Sequence, residues 1–134
     1  MKFYESGDNR KPVIFLFPGT CCQYSSFDHV LDGLHSYFYT VAVSYDGFDP
    51  NEKTEFYSME DECEKIELEI KKKYGGRIKA AYGCSLGGSF VSLLIQRKRI
   101  HIDHGIIGSS DMDEAGNLVA KIQASMVVPF MYKM

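Results

Sequence analysis

Positive charge is not in surplus in this 134-residue chain. Its 15 Lys and Arg stand against 18 Asp and Glu, a net charge of −3, which supplies no electrostatic footprint for nucleic acid or an anionic membrane. Long apolar runs are missing as well. The N-terminal region opens with a single lysine and has no apolar run longer than Val13 to Phe17, so it lacks the form of a secretory signal. No stretch is long enough to span a bilayer. The four cysteines, Cys21, Cys22, Cys63 and Cys84, have no metal-ligand spacing and are not paired with histidines. They read as reduced thiols of a cytoplasmic protein, and neither metal nor cofactor is expected. Histidine is scarce: His29, His35, His101 and His104 are the full set.

What is present is an ordinary globular balance, 45% hydrophobic and 25% charged residues, enough for one domain with a buried core. One stretch organises it. The apolar run Ile78 to Tyr82 leads into Gly83-Cys84-Ser85-Leu86-Gly87, of the form G-x-S-x-G, and an apolar segment of helical length, Ser89 to Ile95, follows. Strand, tight turn and helix in that order describe a nucleophile elbow. A serine on so sharp a turn needs very small neighbours two residues away on each side, and Gly83, Gly87 and Gly88 meet that need. The helix that follows aims its N-terminal N–H groups and positive dipole end at the serine oxygen. The competing reading of the same residues is a tight structural turn with no chemistry.

The remaining chain alternates strands and helices. Lys2 to Glu5 forms a short strand closed by the turn residues Ser6 to Asn9, and Val13 to Phe17 forms a strand covered on both faces. Ser26 is placed to cap a helix whose apolar face is Phe27, Val30, Leu31 and Leu34. Phe38 to Ser44 is β-branched and aromatic and predicts another buried strand. A helix is expected from about Ser58 to Tyr74, with Met59, Cys63, Ile66, Ile70 and Tyr74 as its stripe, Gly75-Gly76 as its stop, and its Glu and Lys residues on a solvated face. His104 to Gly108 is the last short strand, opening into Ser109-Ser110-Asp111. This alternation predicts an α/β fold: a mostly parallel sheet with helices on both faces. The loops after three strands, Pro18 to Thr20, Gly83 to Ser85 and Ser109 to Asp111, should share the carboxyl edge, where such sheets bind ligands.

Gly83-Cys84-Ser85-Leu86-Gly87-Gly88 after one strand and Phe17-Pro18-Gly19-Thr20 after an earlier one resemble an α/β-hydrolase of the small bacterial esterase and lipase type. The likeness covers essentially residues 1–134. It implies that Ser85 is the nucleophile and that the Thr20 and Leu86 N–H groups form an oxyanion hole. The family's usual His-Gly is Pro18-Gly19 here. It also implies Asp111 as the acid, although a turn-forming aspartate is the plainer reading. The implied reaction is acyl transfer from a small acyl ester. By the same likeness residues 1–113 are the N-terminal part of a hydrolase core, and 114–134 start a lid.

The triad is where the resemblance thins. Its chain order is Ser, then Asp or Glu, then His. After Ser85 only His101 and His104 remain, flanking the start of the next strand on the opposite edge, and His29 and His35 belong to the first helix. The apolar segment Asn117 to Met134 resembles the opening of a lid, so the chain reads as the N-terminal portion of a larger hydrolase, a partial α/β-hydrolase fold. An open sheet edge and that apolar segment predict self-association. Two functions stay open: a serine hydrolase with an incomplete triad, and a non-catalytic domain of the same fold used for binding or assembly. A thiol nucleophile at Cys84 or Cys21 lacks a base in the same way.

Overall fold

A computed structural model describes residues 1–108. Five strands, β1 (Lys2–Ser6), β2 (Val13–Phe17), β3 (Tyr39–Ser44), β4 (Arg77–Cys84) and β5 (His101–Gly108), form one sheet in the order β1-β3-β2-β4-β5. β2, β3, β4 and β5 are parallel, and β1 joins the outer side of β3 antiparallel. The expected α/β architecture is therefore the observed one. The chain leaves β2 toward β3 and then crosses back over β2 to reach β4. That reversal puts a topological switch point between the carboxyl ends of β2 and β4, where open α/β sheets leave a crevice.

Successive side chains of a strand face opposite sides of the sheet, and the apolar run of β2 serves both. Phe15 and Phe17 pack on one face with Val41, Val43, Cys63, Ile66, Ile70, Phe90, Val91 and Leu94, under α2 (Met59–Tyr74) and α3 (Leu86–Arg97). Ile14 and Leu16 pack on the other face with Ala42 and Ala80, against Phe27, Leu31 and Leu34 of a 3-10 turn (Tyr24–Phe27) and α1 (Asp28–His35). Each fully buried side chain of this size stabilises the fold by roughly 1.5–3 kcal/mol over exposure. Among the described residues no helix is long and apolar enough to cross a membrane.

Local expectations hold at α2. Ser58 caps it by accepting the Asp61 N–H at 3.0 Å, and Gly75 ends it in the left-handed conformation at φ 64°. Three others need correction. Ser26 makes no cap, because the chain first turns through the 3-10 segment and α1 begins after Phe27 with no side-chain cap bond. β5 starts at His101 rather than His104, because its polar first half pairs with β4, where Asp103 forms an ion pair with Arg77 at 2.8 Å and lies 3.1 Å from His101 Nε2. The α2 face is not wholly solvated either. Glu67 is buried against α3, where Arg97 donates to it through Nε at 2.6 Å and a terminal nitrogen at 3.2 Å.

Glu62 is also buried, accepting the Asp46 N–H at 3.0 Å. Asp46, Asp61 and Glu62 bring carboxylate oxygens within 4.8 Å of one another, and the Lys65 ammonium touches all three at 2.5, 2.6 and 3.1 Å. The Met1 ammonium also pairs with Asp46. Burial alone would raise the Asp46 carboxyl, but the bonds from Lys65 and Met1 outweigh it and hold it at about 2, against an ordinary 3.8. A carboxyl depressed by folding contributes stability above its unfolded pKa and loses it as pH falls through the folded value. Wild type should therefore exceed Asp46→Asn in urea stability at pH 6 by on the order of 2 kcal/mol. The gap should close between about pH 4 and pH 2. Parallel pH profiles for the two proteins would rule this network out as the source.

Candidate active site

β4 delivers Ser85 to the carboxyl edge. Its N–H donates to the Gly108 carbonyl at 3.0 Å, and its own carbonyl accepts the Ser89 N–H at 3.2 Å to begin α3. The reversal from strand to helix is carried by Ser85 itself, at φ 55° and ψ −122°, a conformation in which glycine is at ease and an L side chain is strained by roughly 1–3 kcal/mol. In return the side chain is exposed at the tip of the turn, and it makes no cap bond to its own helix.

The glycines around it answer to contact distances. A Cβ on Gly83 would lie 2.1 Å from the Gly87 carbonyl oxygen, and one on Gly87 would lie 2.0 Å from the Phe17 oxygen and 3.0 Å from the Pro18 oxygen. The first turn of α3 is thus pressed onto the ends of both β4 and β2. The loop after β2 is brought to the serine in the same way: a Cβ on Gly19 would lie 3.7 Å from Ser85 Cβ. That loop closes as a turn, with the Cys22 N–H donating to Gly19 O at 3.1 Å and Cys21 at φ 59°. Thr20 is at its exposed tip.

A cavity of about 280 Å³ opens here, lined by Thr20 and Cys22 of the loop, Phe27 and Tyr82 of the floor, and Ser85. Leu86 is the first residue of α3, and the first N–H groups of a helix have no intrahelical acceptor. Ser85, Thr20, Leu86, Gly83 and Gly87 therefore meet in one place. An exposed hydroxyl beside a helix N-terminus and a tight loop can present an attacking oxygen next to N–H donors.

The fold that carries this site occurs in known structures. An α/β-hydrolase family protein from Desulfitobacterium hafniense superposes with a TM-score of 0.85 at 17% identity, over 98% of this chain and 53% of that one. This is the α/β-hydrolase fold. A carboxylesterase structure from Nitrososphaera gargenis gives 0.72 at 18% identity over 94% of this chain and 48% of that one. The 2-hydroxy-6-oxo-6-phenylhexa-2,4-dienoate hydrolase of Rhodococcus sp. strain RHA1 gives 0.70 at 22%, over 95% and 49%. The chain spans about half the length of these proteins and matches their N-terminal half. No protein-family model matches it, and no curated protein matches it significantly.

Within this α/β-hydrolase half, none of the four histidines lines the Ser85 cavity. His35 is at the amino edge of the sheet, with Nε2 2.9 Å from Ser6 Oγ and 3.1 Å from Thr40 Oγ1. His101 opens β5 and pairs with Asp103 at 3.1 Å, and His104 stands beside Ala80 in the ladder, away from the elbow. His29 is on α1. Asp111 and the lid segment 114–134 lie outside the described residues. Sequence reasoning missed Cys22, Phe27 and Tyr82 as cavity walls. It also missed Tyr45, whose buried hydroxyl donates to the Pro18 carbonyl at 3.0 Å. Tyr45 directly follows a recognisable strand, so its place at the carboxyl edge was the available signal.

Two substitutions test the strained turn. Ser85→Gly should be more stable than Ser85→Ala by about 1 kcal/mol in urea unfolding, because both lose the hydroxyl and only glycine relieves the backbone. Gly87→Ala should destabilise by about 3 kcal/mol or more, since its Cβ meets backbone that cannot step aside. Equal stabilities for the two Ser85 variants would show that the turn is unstrained.

Proposed function

We propose that this chain carries the nucleophile and oxyanion half of a serine hydrolase acting on small acyl esters. The observation that supports it best is the exposed Ser85 on a glycine-demanding turn, with the Gly19–Cys22 loop and the α3 N-terminus against it. In this reading Ser85 Oγ attacks the acyl carbonyl as a general base takes its proton. The Thr20 and Leu86 N–H groups hold the oxyanion, and the leaving alcohol departs with that proton. Water then repeats the steps to release the acid. Asp111 is three residues beyond Gly108, whose carbonyl accepts the Ser85 N–H, which favours it as the acid. The base is a histidine from outside this chain, since none of its own lines the cavity.

A triad enzyme deprived of one member keeps roughly a 10³–10⁴-fold advantage over water through its oxyanion hole and substrate binding. Fluorophosphonate labelling of this chain should accordingly be slow, should rise about tenfold or more when imidazole is added as a surrogate base, and should vanish in Ser85→Ala. Labelling that ignores both imidazole and Ser85→Ala would sink the hydrolase reading. It would leave the second one, a non-catalytic domain of the same fold used for binding or assembly, which the absence of a histidine at Ser85 favours.

Either reading is that of a cytoplasmic protein without nucleic-acid or membrane partners, in keeping with its free thiols and net charge of −3. Self-association belongs to the proposal too. Among the described residues β5 ends the sheet, and Ile106 and Ile107, on opposite faces, are 48% and 42% exposed. Ile106 also borders an apolar groove of about 350 Å³ with Leu16, Val30 and Tyr82. A second copy pairing along Gly105–Gly108 would cover that edge. Sedimentation should show concentration-dependent dimers that Ile106→Lys converts to monomer. A monomeric wild type at high concentration would end this part of the proposal.

A further inference from the structure

The oxyanion loop is held by two peptide planes, and each has its own anchor. In a trans peptide the C=O and the next residue's N–H point in opposite directions. Fixing Pro18 C=O therefore fixes Gly19 N–H, and fixing Gly19 C=O fixes Thr20 N–H. The second plane is tied within the loop, by the Cys22 N–H on Gly19 O at 3.1 Å. The first is tied from outside. Its carbonyl takes the Tyr45 hydroxyl at 3.0 Å, while Gly87 lies so close on another side that a Cβ there would come within 3.0 Å of the same oxygen.

Tyr45 is well suited to this task. It is fully buried, its ring stacks on Phe90 of α3 at a centroid distance of 4.5 Å, and Phe48 stands edge-on to it at 5.2 Å. Phe90 in turn stacks on Phe17, the residue just before Pro18, at 6.4 Å. Burial pushes the phenol well above its ordinary pKa, so it remains a protonated donor across the working pH range. A ring held this tightly cannot follow a moving loop; the loop must come to it.

We propose that Tyr45 is the positioning residue of the oxyanion loop: its hydroxyl fixes the Pro18–Gly19 peptide, and through Gly19 that plane sets where the adjoining Gly19–Thr20 peptide, with its Thr20 N–H, starts from beside Ser85. The role of Thr20 rests on the hydrolase reading, whereas the anchoring of the loop does not. Tyr45→Phe removes one oxygen and keeps the aromatic stack. In that variant the residual dipolar couplings of the Gly19 and Thr20 N–H bonds should change while those of β2 and β4 stay as in wild type. Imidazole-assisted labelling at Ser85 should fall about tenfold in its maximal rate with little change in probe affinity. Unchanged Gly19 and Thr20 couplings overturn the proposal, as does a change spread over the whole sheet, which marks a purely structural residue. A reoriented loop with undiminished labelling overturns the link to Thr20. If wild type itself does not label, the hydrolase reading fails while the couplings still decide whether Tyr45 holds the loop.

Discussion

The first turn of α3 lies so close to the ends of β4 and β2 that two positions have no room for a side chain. A methyl group at Gly83 would overlap the Gly87 carbonyl, and one at Gly87 would overlap that of Phe17. Three segments of backbone thus meet without side chains between them, and much else follows from that contact. It forces the reversal at Ser85 into a conformation that costs an L residue energy. It lifts that residue to the exposed tip, and it sets the loop after β2 against the serine. Strain of this kind persists only where the surroundings over-determine it. Here they do, because the Gly108 carbonyl, the start of α3 and the Gly19 loop each fix one side of the turn.

The packing below keeps the contact rigid. Phe17, Phe90 and Tyr45 form a continuous aromatic stack between β2, α3 and the end of β3, and the Tyr45 hydroxyl carries it up to the Pro18 carbonyl. At the other end of α3, Arg97 grips the buried Glu67 of α2 with two donors. Breaking such a pair on one side leaves an uncompensated buried charge and costs about 3–5 kcal/mol. The two helices on this face are therefore locked together by charge at one end and by aromatic packing nearer the site. Among the described residues the opposite face carries the 3-10 turn and α1, neither of which has a buried residue, and it bears the apolar groove beside Val30 and Ile106. Among the described residues the packing is tighter on the face that shapes the elbow than on the one that bears the groove beside β5.

Elements whose signal is local were legible beforehand. The run Val13 to Phe17 announces a buried strand, because every residue is apolar and the run is bounded by turn residues. Ser58 and Gly75 mark the limits of α2 through capping chemistry that needs no distant partner. The glycine spacing around Ser85 marks the elbow, because only glycine fits there. Signals that depend on a distant partner were not legible. His101 to Asp103 looks polar and loop-like until Arg77 is placed beside it. Glu62 and Glu67 look like any acids on a solvated helix until Lys65 and the Asp46 N–H are seen to bond the first and Arg97 the second.

By itself, then, the sequence determined the order of strands and helices, the two-faced parallel sheet and the identity of the one turn that no larger residues would permit. These are properties of periodicity and of excluded volume over a few neighbouring residues. Only the tertiary structure decided what surrounds that turn. Cys22, Phe27 and Tyr45 reach the Ser85 region from segments about 40–60 positions away, and the histidines, equally available by composition, are carried to places that do not line the Ser85 cavity. A residue's type is written in the chain, but its neighbours depend on strand order and direction, and a crossover that reverses at β2 places side chains together that no local pattern could pair.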